Sequence, residues 1–205
     1  MNYHFRNKTG TYPTSKGNTP APTTSEEQQA LVEKVQKFKT QQYKMIVETE
    51  AETRPGVLAL MDEALATDGV GVGVCSASTK EAALKTLDVT LGADRVSKLD
   101  VLLLGDDVSE KKPSPMIYNE ARERLGLSTD QCVVIEDSMV GLRAAKAADM
   151  KCLITYTSGT KDEDFYGAGA ADAVVPDLAR VTLASIFDPI REKGPNADIL
   201  VGIKE

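Results

Sequence analysis

Ser76, Lys112 and the adjacent pair Glu136 and Asp137 are the residues whose types and surroundings could do chemistry. Each lies near the end of an apolar run and shortly before an expected helix. A serine hydroxyl and the N–H groups at a helix start can hold a phosphate oxygen. A lysine can neutralise a carboxylate nucleophile and a transferring phosphoryl group together. Paired carboxylates at a strand end suit a hard cation such as Mg²⁺.

Each of these residues also has a purely structural interpretation. Ser76 is compatible with a plain N-cap, and the carboxylate pair with an acidic helix start that the helix dipole favours. Lys112 could be a solvated lysine, but it begins a K-P-x-P pattern. Two prolines fix the backbone there and place a helix start at Pro115, so the rigid loop can hold the lysine side chain in one direction.

The carboxylate pair follows Val133-Val134-Ile135, a short run with no polar face. Such a run is typical of a strand buried on both sides. Ser138 offers an N-cap to the next helix. The small residues of that helix favour close packing on a sheet: Gly141, Ala144, Ala145, Ala147 and Ala148.

From residue 70 onward, apolar runs alternate with helical patterns. The predicted strands are Val70–Cys75, Val101–Leu104, Cys132–Ile135, Lys151–Thr155 and Ala173–Val175. The predicted helices are Lys80–Leu87, Pro115–Leu125, Met139–Ala148, Asp162–Tyr166 and Leu178–Phe187. This alternation predicts an α/β fold, a doubly wound parallel sheet with right-handed crossovers.

The N-terminal part has a different character. Residues 1–24 have loop composition, and a capping box from Ser25 to Gln28 predicts a helix. Its apolar stripe is Leu31, Val35, Phe38, Met45 and Ile46. A second helix is expected after Arg54-Pro55-Gly56, with Val57, Leu60, Met61 and Leu65 on its inner face.

Composition excludes several classes of function. The chain has 205 residues and a net charge of -7, with no basic cluster longer than Lys111-Lys112, so we expect no nucleic-acid partner. It has no apolar run of membrane-spanning length and no secretory signal at its polar start, so no membrane partner is expected. The three cysteines show no C-x-x-C spacing and suggest small buried residues in a reducing compartment. His4 is the only histidine, which argues against histidine-dependent catalysis.

Taken in order, the motifs resemble the haloacid dehalogenase-like hydrolases, in the subgroup of sugar-phosphate phosphatases and β-phosphoglucomutases. The matching segments are Arg54-Pro55-Gly56-Val57, Cys75-Ser76-Ala77-Ser78, Gly105-Asp106-Asp107-Val108, Lys112-Pro113-Ser114-Pro115 and Ile135-Glu136-Asp137-Ser138-Met139-Val140-Gly141. They cover about two thirds of the chain, from Arg54 to the neighbourhood of Phe187. The run Cys152-Leu153-Ile154-Thr155-Tyr156-Thr157-Ser158 is most similar to the CbbY-like phosphatases of photosynthetic organisms.

The resemblance implies a three-layer core, a phosphoric monoester hydrolase activity and Mg²⁺ as cofactor. It implies that Ser76 and Lys112 act on the transferring phosphoryl group and that Glu136 with Asp137 holds the metal. The phosphate-binding residues would be Ser76, Ala77, Ser78 and Lys112. The partner would be a small phosphorylated sugar, xylulose-1,5-bisphosphate in the CbbY-like group, bound by a monomer.

The family's nucleophile, an aspartate in a D-x-D-G-T/V segment, does not occur in these 205 residues. Asp68-Gly69-Val70 has a similar ending, but Ala66 stands where the first aspartate would be. In this family the nucleophile strand lies between the serine strand and the Glu-Asp strand. We therefore hypothesise an N-terminally incomplete phosphatase, inactive alone, whose core lacks its first strand and exposes two unpaired strand edges.

This hypothesis divides the chain into a partial helical cap and linker at 1–53, a core at 54–190 and a tail at 191–205. The hypothesis does not decide between the cytoplasm and the plastid stroma as the compartment, because a transit peptide would lie in the missing segment upstream of Met1. One alternative is a non-catalytic relative that binds sugar phosphate or regulates. Another is a plain doubly wound domain whose motifs are only caps and surface charges.

Overall fold

The computed structural model describes Tyr12 and residues 20–187. The chain forms two compact units, Met1–Ala51 and Glu52–Glu205. This boundary lies two residues before the one expected from the sequence. Most of the predicted N-terminal loop, including His4, and the whole of the predicted tail lie outside the described residues.

The described part of the first unit is dominated by one long helix, α1 (Ser25–Glu50). Its N-cap is Thr24, one residue before the predicted Ser25, and the capping box is completed by Glu27. The buried residues of α1 are Val32 and Val47. The predicted stripe is wrong for three of its members, because Phe38, Met45 and Ile46 are 60%, 52% and 53% exposed.

The second unit alternates helices and strands as predicted. Its elements are α2 (Val57–Leu65), β1 (Gly73–Cys75), α3 (Lys80–Leu91), α4 (Ala93–Val96), β2 (Val101–Leu103), α5 (Met116–Leu125), a 3-10 turn (Thr129–Gln131), β3 (Val133–Glu136), α6 (Met139–Ala147), β4 (Lys151–Thr155) and β5 (Ala173–Val175). Residues 183–187 are also helical. Within residues 20–187, no helix has the length and hydrophobicity that a membrane span requires.

The five strands form two parallel sheets. In the two-stranded sheet β1 pairs with β2, with Gly73 opposite Val101. In the three-stranded sheet the order is β3-β4-β5, with Val133 opposite Lys151 and Leu153 opposite Ala173. Strands β1 and β3 therefore each keep one edge without a strand partner among the described residues.

The three-stranded sheet is covered on both faces. On β4, Cys152 and Ile154 belong to one apolar cluster, and Leu153 between them belongs to the other. Successive side chains of a strand point to opposite faces, so the two clusters lie on opposite sides of the sheet. The first cluster contains the packing face of α5 and α6. The second contains Leu60 of α2 and Ile186.

Several predicted elements differ in detail. Residues 162–166, predicted as a helix, are turns, because the Asp164 carboxylate accepts hydrogen bonds from the N–H groups of Gly167 and Ala168 at 2.8 and 3.0 Å. Strand β1 begins at Gly73 instead of Val70. Ile135, predicted to be buried, is 39% exposed. Ala147, predicted to pack on the sheet, is exposed.

Candidate active site

Lys112 connects the two sheets at their carboxyl ends. Its Nζ donates to the carbonyl oxygen of Cys75, the last residue of β1, at 2.9 Å. The same Nζ lies 2.5 Å from Oε1 of Glu136, the last residue of β3. The two charged side chains are only 9% and 11% exposed. The side chain of Lys112 is therefore held in a fixed position, and it contacts Glu136, one of the two predicted metal ligands.

Tyr118 of α5 is the third member of this cluster. Its hydroxyl donates to the same Oε1 of Glu136, and its ring lies under Lys112, with Nζ 4.7 Å from the ring centre. Burial, followed by the negative charge of Glu136, raises the pKa of Tyr118. The phenol therefore stays protonated and acts as a donor. The cation also gains from the face of the aromatic ring.

Gly141 in the first turn of α6 makes room for the Glu136 carboxylate. A Cβ built at Gly141 would lie 2.0 Å from Cδ of Glu136, well inside atomic contact. Ser138 caps the same helix as predicted, with its Oγ accepting from the N–H of Gly141 at 3.3 Å. The start of α6 is thus shaped around the Glu136 side chain.

Asp137 follows on the exposed side of this edge. Its N–H donates to Oε2 of Glu136 at 3.3 Å, and its carbonyl accepts from Oγ1 of Thr160 at 2.8 Å. The backbone of Asp137 is therefore held from both sides while its carboxylate is left towards solvent.

Ser76 begins a tight loop directly after β1. Its N–H donates to the carbonyl of Leu103 at 2.9 Å, and its Oγ accepts from the N–H of Ser78 at 3.2 Å. Gly105 packs against this loop so closely that a Cβ there would lie 2.4 Å from the carbonyl oxygen of Ala77. The loop is fixed by backbone contacts, next in sequence to the carbonyl that Lys112 binds.

The N-terminus of α3, which follows the Ser76 loop, is capped from elsewhere. The Asp106 carboxylate accepts from the N–H of Lys80 at 2.7 Å, while the N-cap residue Thr79 makes no side-chain capping bond. The plain N-cap interpretation of Ser76 is therefore wrong, since the helix starts three residues later and uses an aspartate.

The donor set suits Mg²⁺ only in part. Glu136 and Asp137 are adjacent oxygen donors, and Mg²⁺ characteristically binds through one or two carboxylates while keeping several waters. No cluster of three acidic, histidine or cysteine side chains exists within residues 20–187. The chain thus offers the two predicted ligands, and Lys112 and Tyr118 hold one of them in place.

Sequence reasoning missed two residues that contact the site and one that braces the neighbouring sheet. Tyr118 and Thr160 contact Glu136 and Asp137 from 18 and 23 residues away, so no local pattern reveals them. Arg54 was noted only as part of a motif. Its guanidinium donates to the carbonyls of Thr155, Tyr156 and Pro176, at 2.7, 2.5 and 2.9 Å, and so ties β4 to the segment after β5.

Comparison with known proteins agrees with this geometry. Residues 16–155 match the family model described as haloacid dehalogenase-like hydrolase. A haloacid dehalogenase-like hydrolase domain-containing protein of Arabidopsis thaliana is 43% identical over 91% of this chain and 57% of its own length. A CBBY-like protein of the same plant is 42% identical over 77% of this chain and 49% of its own. Protein CbbY of Rhodobacter capsulatus is 32% identical over 77% of this chain and 68% of its own.

Solved structures show the same relationship. CbbY from Rhodobacter sphaeroides in complex with phosphate superposes with a TM-score of 0.70, at 29% identity over 89% of this chain and 74% of that one. A mutant of the same protein in complex with xylulose-(1,5)bisphosphate gives the same TM-score at 28% identity, with the same coverage. The chain belongs to the haloacid dehalogenase-like hydrolase family, in the subgroup of CbbY and the phosphoglucomutase-like proteins. It spans about half the length of the two Arabidopsis relatives it matches.

Proposed function

We propose that this chain carries the phosphate-binding and metal-binding part of a Mg²⁺-dependent phosphatase for a small sugar phosphate. The observation that carries the proposal is the buried Lys112 ammonium, held between the Cys75 carbonyl and the Glu136 carboxylate. A cation fixed in this way neutralises the charge of a transferring phosphoryl group without reorganising first.

The other predicted residues take complementary roles around it. Ser76, Ala77 and Ser78 would bind the phosphate oxygens through the Ser76 hydroxyl and the N–H groups of the loop. Glu136 and Asp137 would hold Mg²⁺. The metal, when bound, neutralises phosphoryl oxygens and orients the group for in-line displacement.

The substrate class is supported by two structures of one relative. CbbY has been crystallised with phosphate and, as a mutant, with xylulose-(1,5)bisphosphate. A five-carbon sugar bisphosphate is therefore the first compound to test. A chloroplastic Arabidopsis protein, SUPPRESSOR OF QUENCHING 1, is 35% identical over 65% of this chain, which supports a plastid location.

The proposed nucleophile is an aspartate of a D-x-D-G segment, which the 205 residues do not contain. We expect the chain alone to bind Mg²⁺ and inorganic phosphate with little or no turnover. The same feature favours the second candidate, a non-catalytic relative that binds sugar phosphate. Peptide mapping of the protein in its source cells separates the two, because only an incomplete phosphatase has D-x-D-G sequence upstream of Met1.

Calorimetric titration of the 205-residue chain with Mg²⁺, and then with phosphate, tests the site. Asp137→Asn should weaken Mg²⁺ binding by about tenfold or more, because one of two carboxylate ligands is lost. Asp130→Asn changes an exposed carboxylate outside the site and is the matched control. Equal Mg²⁺ affinity of the unmutated chain and the two variants would refute the proposed metal site. Turnover of xylulose-1,5-bisphosphate by this chain would refute the proposed aspartate nucleophile.

A further inference from the structure

The chain that follows β4 reaches back to the carboxyl end of β3. Residues 157–165 (the 157–165 turn) contain no helix or strand. Oγ1 of Thr160 donates to the carbonyl of Asp137 at 2.8 Å, and Oε2 of Glu163 accepts from the N–H of Met139 at 3.0 Å. The 157–165 turn therefore holds the link between β3 and α6 at two points.

The hydroxyl of Thr160 is fixed in one orientation. Its Oγ1 accepts from the N–H of Thr157 at 3.0 Å and lies 3.2 Å from Oγ1 of the same residue. A hydroxyl has one proton and two acceptor positions. Because the Thr160 proton goes to the Asp137 carbonyl, the Thr157 hydroxyl is the donor between the two threonines. Every hydrogen-bonding position of the Thr160 hydroxyl is thus filled, and its bond to Asp137 is part of the structure of the turn.

The bond from Thr160 is not a helix cap. A helix N-terminus lacks partners for its N–H groups, whereas the group bound here is a carbonyl that precedes the N-cap residue, Ser138. Ser138 caps α6 itself, through the N–H of Gly141. The Thr160 bond instead fixes the peptide plane directly after Asp137, and so restricts the direction in which the Asp137 side chain leaves the backbone.

The 157–165 turn is anchored at both ends. Directly before it, the Arg54 guanidinium donates to the carbonyls of Thr155 and Tyr156, at 2.7 and 2.5 Å. At the other end, Phe165 is 3% exposed and lies in the apolar cluster that contains Leu142 of α6. A hydrogen bond from an anchored segment restricts its partner, so the turn can act as a support for the backbone of the site.

We propose that Thr160 is a positioning residue for the Asp137 carboxylate, with Glu163 as a second support from the same turn. This inference rests on the proposed function, in which Asp137 holds Mg²⁺. Glu136 is held through its own side chain by Lys112. Asp137 is exposed, so the restraint on its carboxylate comes through its backbone. Groups that orient a metal ligand characteristically change metal affinity by about 10- to 100-fold when they are removed.

A Mg²⁺ titration of the full 205-residue chain, followed by the amide chemical shifts of residues 136–139, tests this role. Thr160→Val keeps the shape of the side chain and removes its hydroxyl, and should raise the dissociation constant about tenfold. Thr160→Ser retains a hydroxyl and should keep the affinity of the unmutated chain. Thr67→Val is the matched control, because it removes the same kind of bond, from a threonine hydroxyl to the Glu63 carbonyl at 2.7 Å, just after α2.

Combination with Asp137→Asn tests whether Thr160 acts through the carboxylate. Beside Asp137→Asn, Thr160→Val should change the dissociation constant by less than about twofold, because the group that it positions is already lost. A role in stability alone would not produce this dependence. Losses that add in the double variant would overturn the proposal, and so would an unchanged affinity in Thr160→Val alone.

Glu163 separates position from charge and does not require that Thr160→Val folds. Glu163→Gln keeps an oxygen that can accept from the Met139 N–H, whereas Glu163→Ala removes it. We expect Glu163→Ala to weaken Mg²⁺ binding several-fold and Glu163→Gln to leave it near that of the unmutated chain. Equal losses in the two variants would assign the effect to the charge of Glu163 and overturn its supporting role.

Failure of this role and failure of the proposed function give different results. If the unmutated chain binds no Mg²⁺, Glu136 and Asp137 are not a metal site, and both proposals are overturned. If the unmutated chain binds Mg²⁺ and neither Thr160→Val nor Glu163→Ala changes its affinity, the metal site stands and only the positioning role is overturned.

Discussion

Strands β4 and β1 are both strands of parallel sheets, but they differ in their neighbours. Strand β4 pairs with β3 on one side and β5 on the other, and Cys152, Leu153 and Ile154 are fully buried. Strand β1 pairs only with β2 among the described residues, and Gly73 is exposed. The comparison shows that a strand's burial depends on its partners as much as on its own composition.

The largest effect is expected at the link between the two sheets. Lys112→Met should lower the free energy of unfolding by about 4 kcal/mol, because it leaves the nearly buried Glu136 carboxylate without its cation. Denaturant unfolding measures this change, with Lys111→Met, an exposed neighbour, as the control. A cost below about 1 kcal/mol would mean that Lys112 does not join the two sheets energetically.

One leucine from each sheet tests whether the two sheets differ in how well they are packed. Leu153→Ala in β4 should cost about 3 kcal/mol, because a fully buried side chain leaves a cavity. Leu102→Ala in β2 should cost about 1 kcal/mol, since that side chain is only half-buried. Equal costs in chemical denaturation would indicate that the two sheets are equally well packed in solution.

Asp172 supports the three-stranded sheet and adds a dependence on pH. It accepts from the N–H of Cys152 and from Lys146, both at 2.8 Å. Burial raises the pKa of Asp172, but these bonds outweigh burial and hold its pKa below the usual range. Asp172→Asn should therefore cost about 2 kcal/mol at neutral pH.

The sign of the pH effect follows from the lowered pKa. The stabilisation by Asp172 is complete above the unfolded pKa of about 3.9 and is lost as the pH falls through the folded value. Unfolding curves of the two proteins should thus converge once the pH has fallen below the folded pKa of Asp172. A difference that persists in acid would show that packing, and not the ionised carboxylate, causes the loss.

The smallest effect is expected from removing one hydroxyl. Tyr118→Phe keeps the ring beneath Lys112 and removes only the hydrogen bond to Glu136. We expect a loss of about 1 kcal/mol in thermal or denaturant unfolding. No change at all would mean that Lys112 alone positions the carboxylate.

The strands could be predicted wherever the apolar pattern and the partners agree. Lys151–Thr155 and Ala173–Val175 were found with the predicted bounds, because each contains three consecutive apolar residues and has a neighbouring strand. The first strand was predicted three residues too long. Residues 70–72 are apolar, but glycine interrupts them and one edge has no strand beside it.

Site residues could be predicted only where the residue type and the surrounding motif together indicate a chemical role. Lys112 and Glu136 were predicted from motif and spacing, and the structure brings them into contact. Tyr118 and Arg54 could not be assigned, because their partners are fixed by tertiary packing and lie far away in sequence. The roles of Ser76 and Asp137 towards phosphate and metal remain predictions.

Gly141 carries a consequence for how this protein can evolve. Glycine inside a helix is unfavourable by about 1 kcal/mol relative to alanine, so a search for more stable variants would select alanine at most such positions. Here the methyl group would collide with the Glu136 carboxylate. A library screened for stability should therefore keep glycine at this position for as long as Glu136 is present, and the retained glycine would mark the lineages that still carry the carboxylate.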